Sequence, residues 1–318
     1  YMQRALQLAA LGLGKVSPNP MVGAVVVHPE KGIIGEGYHQ VYGGPHAEVN
    51  AIAQVTDSSM LSEATIYVTL EPCSHFGKTP PCANLIIDKG IKEVVIALQD
   101  PNPLVSGRGI ALLQQAGIEV ITGVLEQEAT LLNKTFLHHI RTGLPYVYLK
   151  WAQSTDGYLA PADGKPVLIS NEVHQMQVHK QRAEVDAILV GYNTVLNDNP
   201  SLTVRHWTGR NPQRIVVDPQ LALPLTYQIF SGEETVWIIN SQKTDTTNRI
   251  KYLQVTNWDS PTEMLELLGK NGIGSIVVEG GAKTLAWFIN GNHYQEKWVY
   301  THPNLYFANG IAIPHSGK

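Results

Sequence analysis

Both cysteines of this 318-residue chain lie on one stretch, EPCSHFGKTPPC, with eight residues between Cys73 and Cys82. Two thiols on one turn can form a disulfide, a redox pair, a structural metal clip or part of a catalytic metal site. An HAE triplet, His46 to Glu48, precedes them at the expected start of a helix. One imidazole and two thiolates suit zinc, and three protein ligands leave the fourth position open to water. Bound zinc lowers the pKa of that water toward neutrality. Two thiolates offset much of the ion's charge, so a neighbouring base has work to do, and Glu48 is the candidate. Zinc deaminases combine H-x-E with P-C-x-x-C and use the glutamate as a proton shuttle. The chain matches HAE and the first Pro-Cys, but its second cysteine comes later than that pattern has it. A closed structural site remains open as an alternative, with His75 as fourth ligand. The spacing suits a disulfide or a thioredoxin-like pair less well.

These residues need a scaffold, and the first part of the chain alternates strand and helix signals. After an amphipathic helix in YMQRALQLAALGLG, VGAVVVHPEKGIIGEGY reads as two strands around a Pro/Gly turn. PHAEVNAIAQV is a short helix, TIYVTLEP a strand, PCANLIIDKG a helix ended by Gly90, and EVVIALQDP a strand. GRGIALLQQAG and IEVITGV repeat the unit, which predicts an α/β domain of about five mostly parallel strands. EQEATLLNKTFLHHIRTG reads as one helix, broken by Gly143-Leu144-Pro145, where the domain boundary is placed. The domains are 1–143 and 144–318. Strands in PYVYLKWAQS, DAILVG, RIVVD, TVWIIN and SIVVEGG, with helices NEVHQMQVHKQRAE, SPTEMLELLGK and AKTLAWFIN, predict a second α/β domain.

Composition sets outer bounds. A 43% hydrophobic content supplies two cores, and a formal charge of -4 without a basic run argues against nucleic acid. No apolar run approaches the length of a membrane span, and a lone Arg4 makes a poor signal-peptide start. Two cysteines in so long a chain indicate a reducing compartment, the cytoplasm.

PNPMVGAVVV, GYHQVYGGPHAEVNAI, TLEPCSHFGKTPPC and QDPNPLVSGRG together resemble the deaminase half of the bifunctional riboflavin-biosynthesis deaminase–reductase family. The long cysteine turn separates that family from cytidine and tRNA-adenosine deaminases. The resemblance implies a cytidine-deaminase-like three-layer domain in which His46, Cys73 and Cys82 bind one Zn2+ and Glu48 moves protons. It implies hydrolysis of the 2-amino group of a 2,5-diamino-6-(phosphoribosylamino)pyrimidinone. Substrate contacts then fall on Asn19, His39, His75, Lys78, Thr79, Asp100 and Asn102. His75, Lys78 and Thr79 bring an imidazole, an ammonium and a hydroxyl, donors that a phosphorylated ribose needs. PNP and DPNP are also good turn formers, the plainer explanation for Asn19, Asp100 and Asn102.

KWAQSTDG, RAEVDAILVGYNTVLNDNPSLTVR and VVEGGAKTLAWF resemble the family's reductase half, which is similar to dihydrofolate reductase and reduces ribosyl to ribityl with NADPH. By resemblance, NADP contacts fall on Gln153, Leu168, Thr194, Asp198, Gly281, Ala282, Lys283 and Thr284. Arg182, Leu202, Arg205 and Glu279 are the reductase substrate contacts, the arginines being suited to a phosphate. A strand, a glycine pair and a helix start in VVEGGAKTLAWF can also bring backbone N–H groups to a phosphate. Where the family has S-x-W-I-[ST], this chain has Pro166-Val167-Leu168-Ile169-Ser170, and the segment after WVYTHP is short. The resemblance also implies a homo-oligomer. The other readings are a zinc deaminase of a different base or nucleoside, and an active deaminase joined to an impaired reductase.

Overall fold

The computed structural model describes residues 1–74, 80–102, 106–163, 167, 172–247 and 249–313. The chain divides into two compact units, Tyr1–Thr142 and Gly143–Lys318.

The first unit runs α1 (Met2–Ala10), β1 (Gly23–His28), β2 (Gly32–Tyr38), α2 (Ala47–Ala53), β3 (Thr65–Leu70), α3 (Cys82–Asp88), β4 (Glu93–Leu98), α4 (Arg108–Gln115), β5 (Glu119–Thr122), α5 (Glu126–Leu132) and α6 (Lys134–Thr142). One five-stranded sheet has the order β2-β1-β3-β4-β5. Every residue of β1 is buried, because alternate side chains serve opposite layers. Ala24 and Val26 pack with Ala47 and Ala51 of α2, Ile86 of α3 and Leu113 of α4. Val25 and Val27 pack instead with Met2, Ala5 and Leu8 of α1, and with Ala129 and Leu137 of α5 and α6. The result is helix, sheet, helix. Helix α2 lies directly on β2, where a Cβ on Gly37 would stand 2.3 Å from the Ala51 nitrogen. A side chain there would lift the helix that starts at the HAE triplet.

Two expectations need correction. The sheet is mixed: β1 runs antiparallel to both β2 and β3, and only β3, β4 and β5 pair in parallel. The helix expected over residues 126–143 is two helices, because Asn133 turns inward at their junction. Its fully buried amide accepts from Met21 N–H at 2.8 Å and donates to the Met21 carbonyl at 2.9 Å. Such a two-point bond to distant backbone outweighs helical continuity, and helical periodicity carries no trace of it.

The second unit runs β6 (Tyr146–Gln153), β7 (Tyr158–Pro161), α7 (Glu172–Glu184), β8 (Ala187–Gly191), α8 (Tyr192–Asp198), β9 (Gln213–Val217), β10 (Val236–Asn240), β11 (Asp245–Thr246), β12 (Ile250–Gln254), α9 (Thr262–Lys270), β13 (Ser275–Val278), α10 (Ala282–Asn290), β14 (Glu296–Thr301) and β15 (Gly310–Ala312). Its main sheet has the order β11-β12-β10-β9-β8-β13-β6-β14, with all pairings parallel except β11 with β12. The unbroken apolar runs AILVG, VWIIN and SIVV belong to strands covered on both faces, as parallel sheets require. Leu149, Leu189, Ile215 and Val278 pack beneath Leu265, Leu268, Leu285 and Phe288 of α9 and α10. Tyr148, Ile188, Val190 and Val216 pack on the other face with Val195 of α8, Ile229 and Phe230. Helix α8 and the strands β7, β11, β12, β14 and β15 are additions to the sequence reading. No helix among the described residues is long and apolar enough to cross a membrane.

Candidate metal centre and reductase crevice

In the first unit, β2, β3 and β4 end at the sheet edge where β1 begins. His39 follows β2, Cys73 follows β3, Asp100 follows β4 and Asn19 precedes β1, so four separate segments converge on that edge. This is where open α/β sheets bind ligands.

His46 caps the N-terminus of α2, and Cys82 is the first residue of α3. The His46 Nδ1 lies 3.3 Å from Cys82 Sγ and 3.6 Å from Cys73 Sγ, and all three ligand atoms fall within 4.8 Å of one another. Bond lengths to zinc of about 2.0 Å for nitrogen and 2.3 Å for sulfur put tetrahedral ligand edges near 3.5–3.8 Å. The set therefore fits the ion. Both cysteines are free thiols, and the backbone N–H of Cys82 donates to Cys73 Sγ at 3.2 Å. The hydrogen bond from Cys82 holds Cys73 down at about 4, while the bond to Cys73 and burial push Cys82 upward. One proton is thus shared between two thiols, and a bound cation would displace it. His46 is raised, chiefly by its bond to Cys73.

Glu48 sits in the first turn of α2 and is 3% exposed. Burial raises its carboxyl to about 7. His39 is buried beside His46, with ring centroids 5.8 Å apart. Its Nδ1 lies 3.0 Å from the Pro45 carbonyl, which can only accept, so that nitrogen carries the proton. Its Nε2 is then the acceptor for the Asn19 amide at 3.2 Å. Burial lowers the His39 pKa and keeps the ring neutral. Asn102 N–H donates to Asp100 Oδ1 at 2.8 Å in a tight turn after β4. His75, Lys78 and Thr79 lie outside the described residues.

In the second unit the neighbouring strands β8 and β13 end in glycine turns that open α8 and α10. Gly281 N–H donates to Thr194 Oγ1 at 3.0 Å. A Cβ on Gly191 would meet Thr284 Oγ1 at 2.3 Å, and one on Gly280 would meet Thr284 Cβ at 2.5 Å. Only glycines let the turns pass so close. Ala282 opens α10, with Lys283 exposed in its first turn. Two such turns beside a helix start and an ammonium suit the phosphates of a dinucleotide. Asp198 ends α8 on the surface. Gln153 ends β6, where its amide donates to Thr301 Oγ1 at 3.2 Å. Leu168 lies outside the described residues.

Glu279 follows β13 and carries the densest charge pairing of this unit's candidates. Arg182 grips it through Nε and Nη2, each at 2.9 Å, and Lys150 Nζ approaches Oε2 at 3.5 Å. Burial alone would raise Glu279, but the charges of Lys150 and Arg182 outweigh it and hold the group at about 2. The Arg182 fork, read by resemblance as a substrate contact, is engaged by Glu279 here. Arg205 is exposed; its Nη1 donates to Ser201 Oγ at 2.7 Å and its backbone N–H to His179 Nδ1 at 2.9 Å. Arg205, His206, Trp207 and Thr208 line a shallow pocket. Leu202 is 3% exposed yet has φ of 57°. A leucine in the left-handed region costs on the order of 1–3 kcal/mol, a strain that tends to cluster at functional sites.

A family model described as the RibD C-terminal domain matches residues 145–306. Another, the cytidine and deoxycytidylate deaminase zinc-binding region, matches residues 1–98. The riboflavin biosynthesis protein RibD of Bacillus amyloliquefaciens is 45% identical over 315 residues, covering 96% of this chain and 84% of that protein. The chain belongs to the RibD family. RibD of Escherichia coli K12 is 40% identical over 324 residues, covering 96% of this chain and 87% of that protein. The crystal structure of a diaminohydroxyphosphoribosylaminopyrimidine deaminase/5-amino-6-(5-phosphoribosylamino)uracil reductase from Thermotoga maritima superimposes with a TM-score of 0.90 at 39% identity. That match covers 98% of this chain and 88% of that one. Like RibD, the chain joins a cytidine-deaminase-like domain to a reductase domain similar to dihydrofolate reductase. It is a bifunctional deaminase and reductase of riboflavin biosynthesis, using zinc and NADPH.

Sequence reasoning passed over two residues of this RibD-family chain. Lys150 interrupts the apolar strand YVYLKWAQ, and a charge inside a buried strand is a signal in itself. Glu71, at the end of the predicted strand TIYVTLEP and two residues before Cys73, carries no local sign of a role, although it is 4% exposed.

Proposed function

We propose that the first unit hydrolyses the 2-amino group of 2,5-diamino-6-(5-phosphoribosylamino)pyrimidin-4(3H)-one. The second unit then reduces the ribosyl group of 5-amino-6-(5-phosphoribosylamino)uracil to ribityl, with the functional boundary at residues 143 and 144. The observation that carries this reading is the meeting of His46, Cys73 and Cys82 above a buried Glu48. These three residues would hold zinc, which would supply Lewis acidity toward the attacking water. Glu48 takes a proton from the attacking water and passes it to a ring nitrogen. A second transfer by the same carboxyl reaches the amine, so that ammonia leaves and oxygen replaces it on the ring. A carboxyl held near 7 both takes and gives a proton at neutral pH. Asn19, His39, Asp100 and Asn102 orient the pyrimidine, and His75, Lys78 and Thr79 meet its ribose phosphate.

In the second unit NADPH supplies a hydride. Thr194, Asp198, Gly281, Ala282, Lys283, Thr284, Gln153 and Leu168 hold the cofactor. Arg182, Leu202, Arg205 and Glu279 hold the opened ribose and its phosphate, with Arg205 exposed for the anion. The protein positions the two partners, while the redox chemistry belongs to the cofactor. The free thiols fit a reducing compartment such as the cytoplasm, and we assign a homo-oligomeric state.

The test incubates the zinc-loaded protein with the diaminopyrimidinone, with and without NADPH, and follows products by mass. Without NADPH, one amino group should be exchanged for oxygen; with it, two hydrogens should also be added. Deamination without reduction would remove the second activity from this chain. Absence of deamination would remove the substrate assignment. Metal analysis checks the ligands separately: Cys82→Ser should purify with far less than one zinc per chain and with its ammonia release lost. Full zinc retention by that variant would overturn the ligand set.

A further inference from the structure

Among the described residues, Glu71 accepts four hydrogen bonds, all from backbone. Its Oε2 takes Asp100 N–H at 3.2 Å and Gly107 N–H at 3.0 Å, while Oε1 takes Gly109 N–H at 2.9 Å and Ile110 N–H at 3.3 Å. No salt bridge to Glu71 occurs among the described residues. Gly107, Gly109 and Ile110 belong to the start of α4, whose first N–H groups have no partner within the helix. The carboxylate supplies those partners from another segment and also holds Asp100, at the far end of the same loop. A Cβ on Gly109 would stand 2.1 Å from the Pro72 carbonyl, so α4 begins in contact with the residue just before Cys73. The Glu71 backbone N–H is fixed in turn to the Leu98 carbonyl at 2.9 Å.

We propose that Glu71 is a positioning residue for deamination, a clasp that ties the loop bearing Asp100 and Asn102 to the segment bearing Cys73. The proposal rests on the reading of Asp100 and Asn102 as substrate contacts. Asp100 and the start of α4, both held by one buried side chain, have little freedom to drift from Cys73 and its neighbours. The turn at Asp100–Asn102 is thus set before substrate arrives, which lowers the ordering cost of binding. Glutamine in this place keeps one oxygen for two N–H groups but turns an amide NH2 toward the other two donors.

The experiment uses the full-length, zinc-loaded protein and compares Glu71→Gln with Asp100→Ala. Zinc content, reduction of the deaminated product, and KM and kcat for ammonia release are measured on each. The expected result for Glu71→Gln is one zinc per chain, an unchanged reductase rate and a KM raised about tenfold or more, kcat moving far less. Asp100→Ala should raise KM as well, and the double variant should be no worse than the sum of the two. Amide exchange at Asp100, Gly107, Gly109 and Ile110 should be slow in the wild type and faster in Glu71→Gln. If Glu71→Gln is insoluble, Glu71→Asp tests the same clasp with a carboxylate one carbon short and should raise KM to a smaller extent. An unchanged KM in Glu71→Gln, beside a raised one in Asp100→Ala, overturns the clasp and leaves the substrate reading standing. An unchanged KM in Asp100→Ala removes the substrate reading and the clasp with it. Loss of zinc from Glu71→Gln makes Glu71 a support of the metal segment and overturns the positioning role.

Discussion

Glu48→Gln should keep its zinc and its reductase rate yet release ammonia about a thousandfold more slowly. The substitution changes one atom in a site that is 3% exposed, so the packing of α2 on the sheet is preserved. None of the three candidate ligand atoms is touched. What disappears is the group that binds and yields a proton, and an amide does neither at neutral pH. Burial raises the native carboxyl, to about 7 in the metal-free protein, which favours its taking up a proton. A glutamate that merely filled space would be replaced by glutamine at little cost in rate. Metal analysis, an ammonia assay and NADPH oxidation with deaminated product separate these outcomes. Retained ammonia release in Glu48→Gln would exclude the carboxyl as the proton carrier.

Arg182→Met should abolish the reductase while leaving ammonia release intact. It removes the fork that meets both oxygens of Glu279, whose side chain is only 10% exposed. Removing one partner of a buried pair leaves an uncompensated charge and costs about 3–5 kcal/mol. Lys150 stays at 3.5 Å and offsets part of that loss. The pH dependence has a definite sign. Glu279 is held at about 2 against an ordinary value of 4.5, a depressed carboxyl. Its contribution to stability is therefore fully present above about pH 4.5 and is lost as the pH falls toward 2. Denaturant unfolding of the second unit should show a wide gap between wild type and Arg182→Met at neutral pH. That gap should close across the acidic window. A gap that is small at neutral pH, or constant on acidification, would contradict the pairing.

The candidate metal centre was legible because its chemistry is concentrated: two cysteines in the whole chain share a turn, and a histidine and glutamate stand two apart. The central strands were legible because apolar runs such as AILVG suit the inside of a parallel sheet, whereas short or half-exposed strands such as β14 carry no such run. Residues that act by reaching across the fold were hidden. Asn133 looks like any polar helix residue until its amide is seen on Met21. Glu71 stood unmarked at the end of a predicted strand because its partners among the described residues are backbone groups, which have no letter in the sequence. The pairing of Arg182 with Glu279, 97 positions away, leaves no local pattern in the sequence. The direction of β1 was missed for a related reason: a strand's own residues do not state whether its neighbours run with it or against it.

The Asn133–Met21 bond also bears on how the first half of this gene can be passed around by recombination. The recognisable deaminase region stops at residue 98. Yet Glu71 needs amides as far as residue 110, one face of β1 rests on Ala129 and Leu137, and Asn133 secures the backbone beside Asn19. A transplanted fragment ending at 98 would carry the three candidate metal ligands and Glu48 but lose β5 and the helices α4, α5 and α6 that pack on the sheet. The compact structural unit is the whole of Tyr1–Thr142, so crossovers inside its last third should be rejected even where no residue of the site is exchanged.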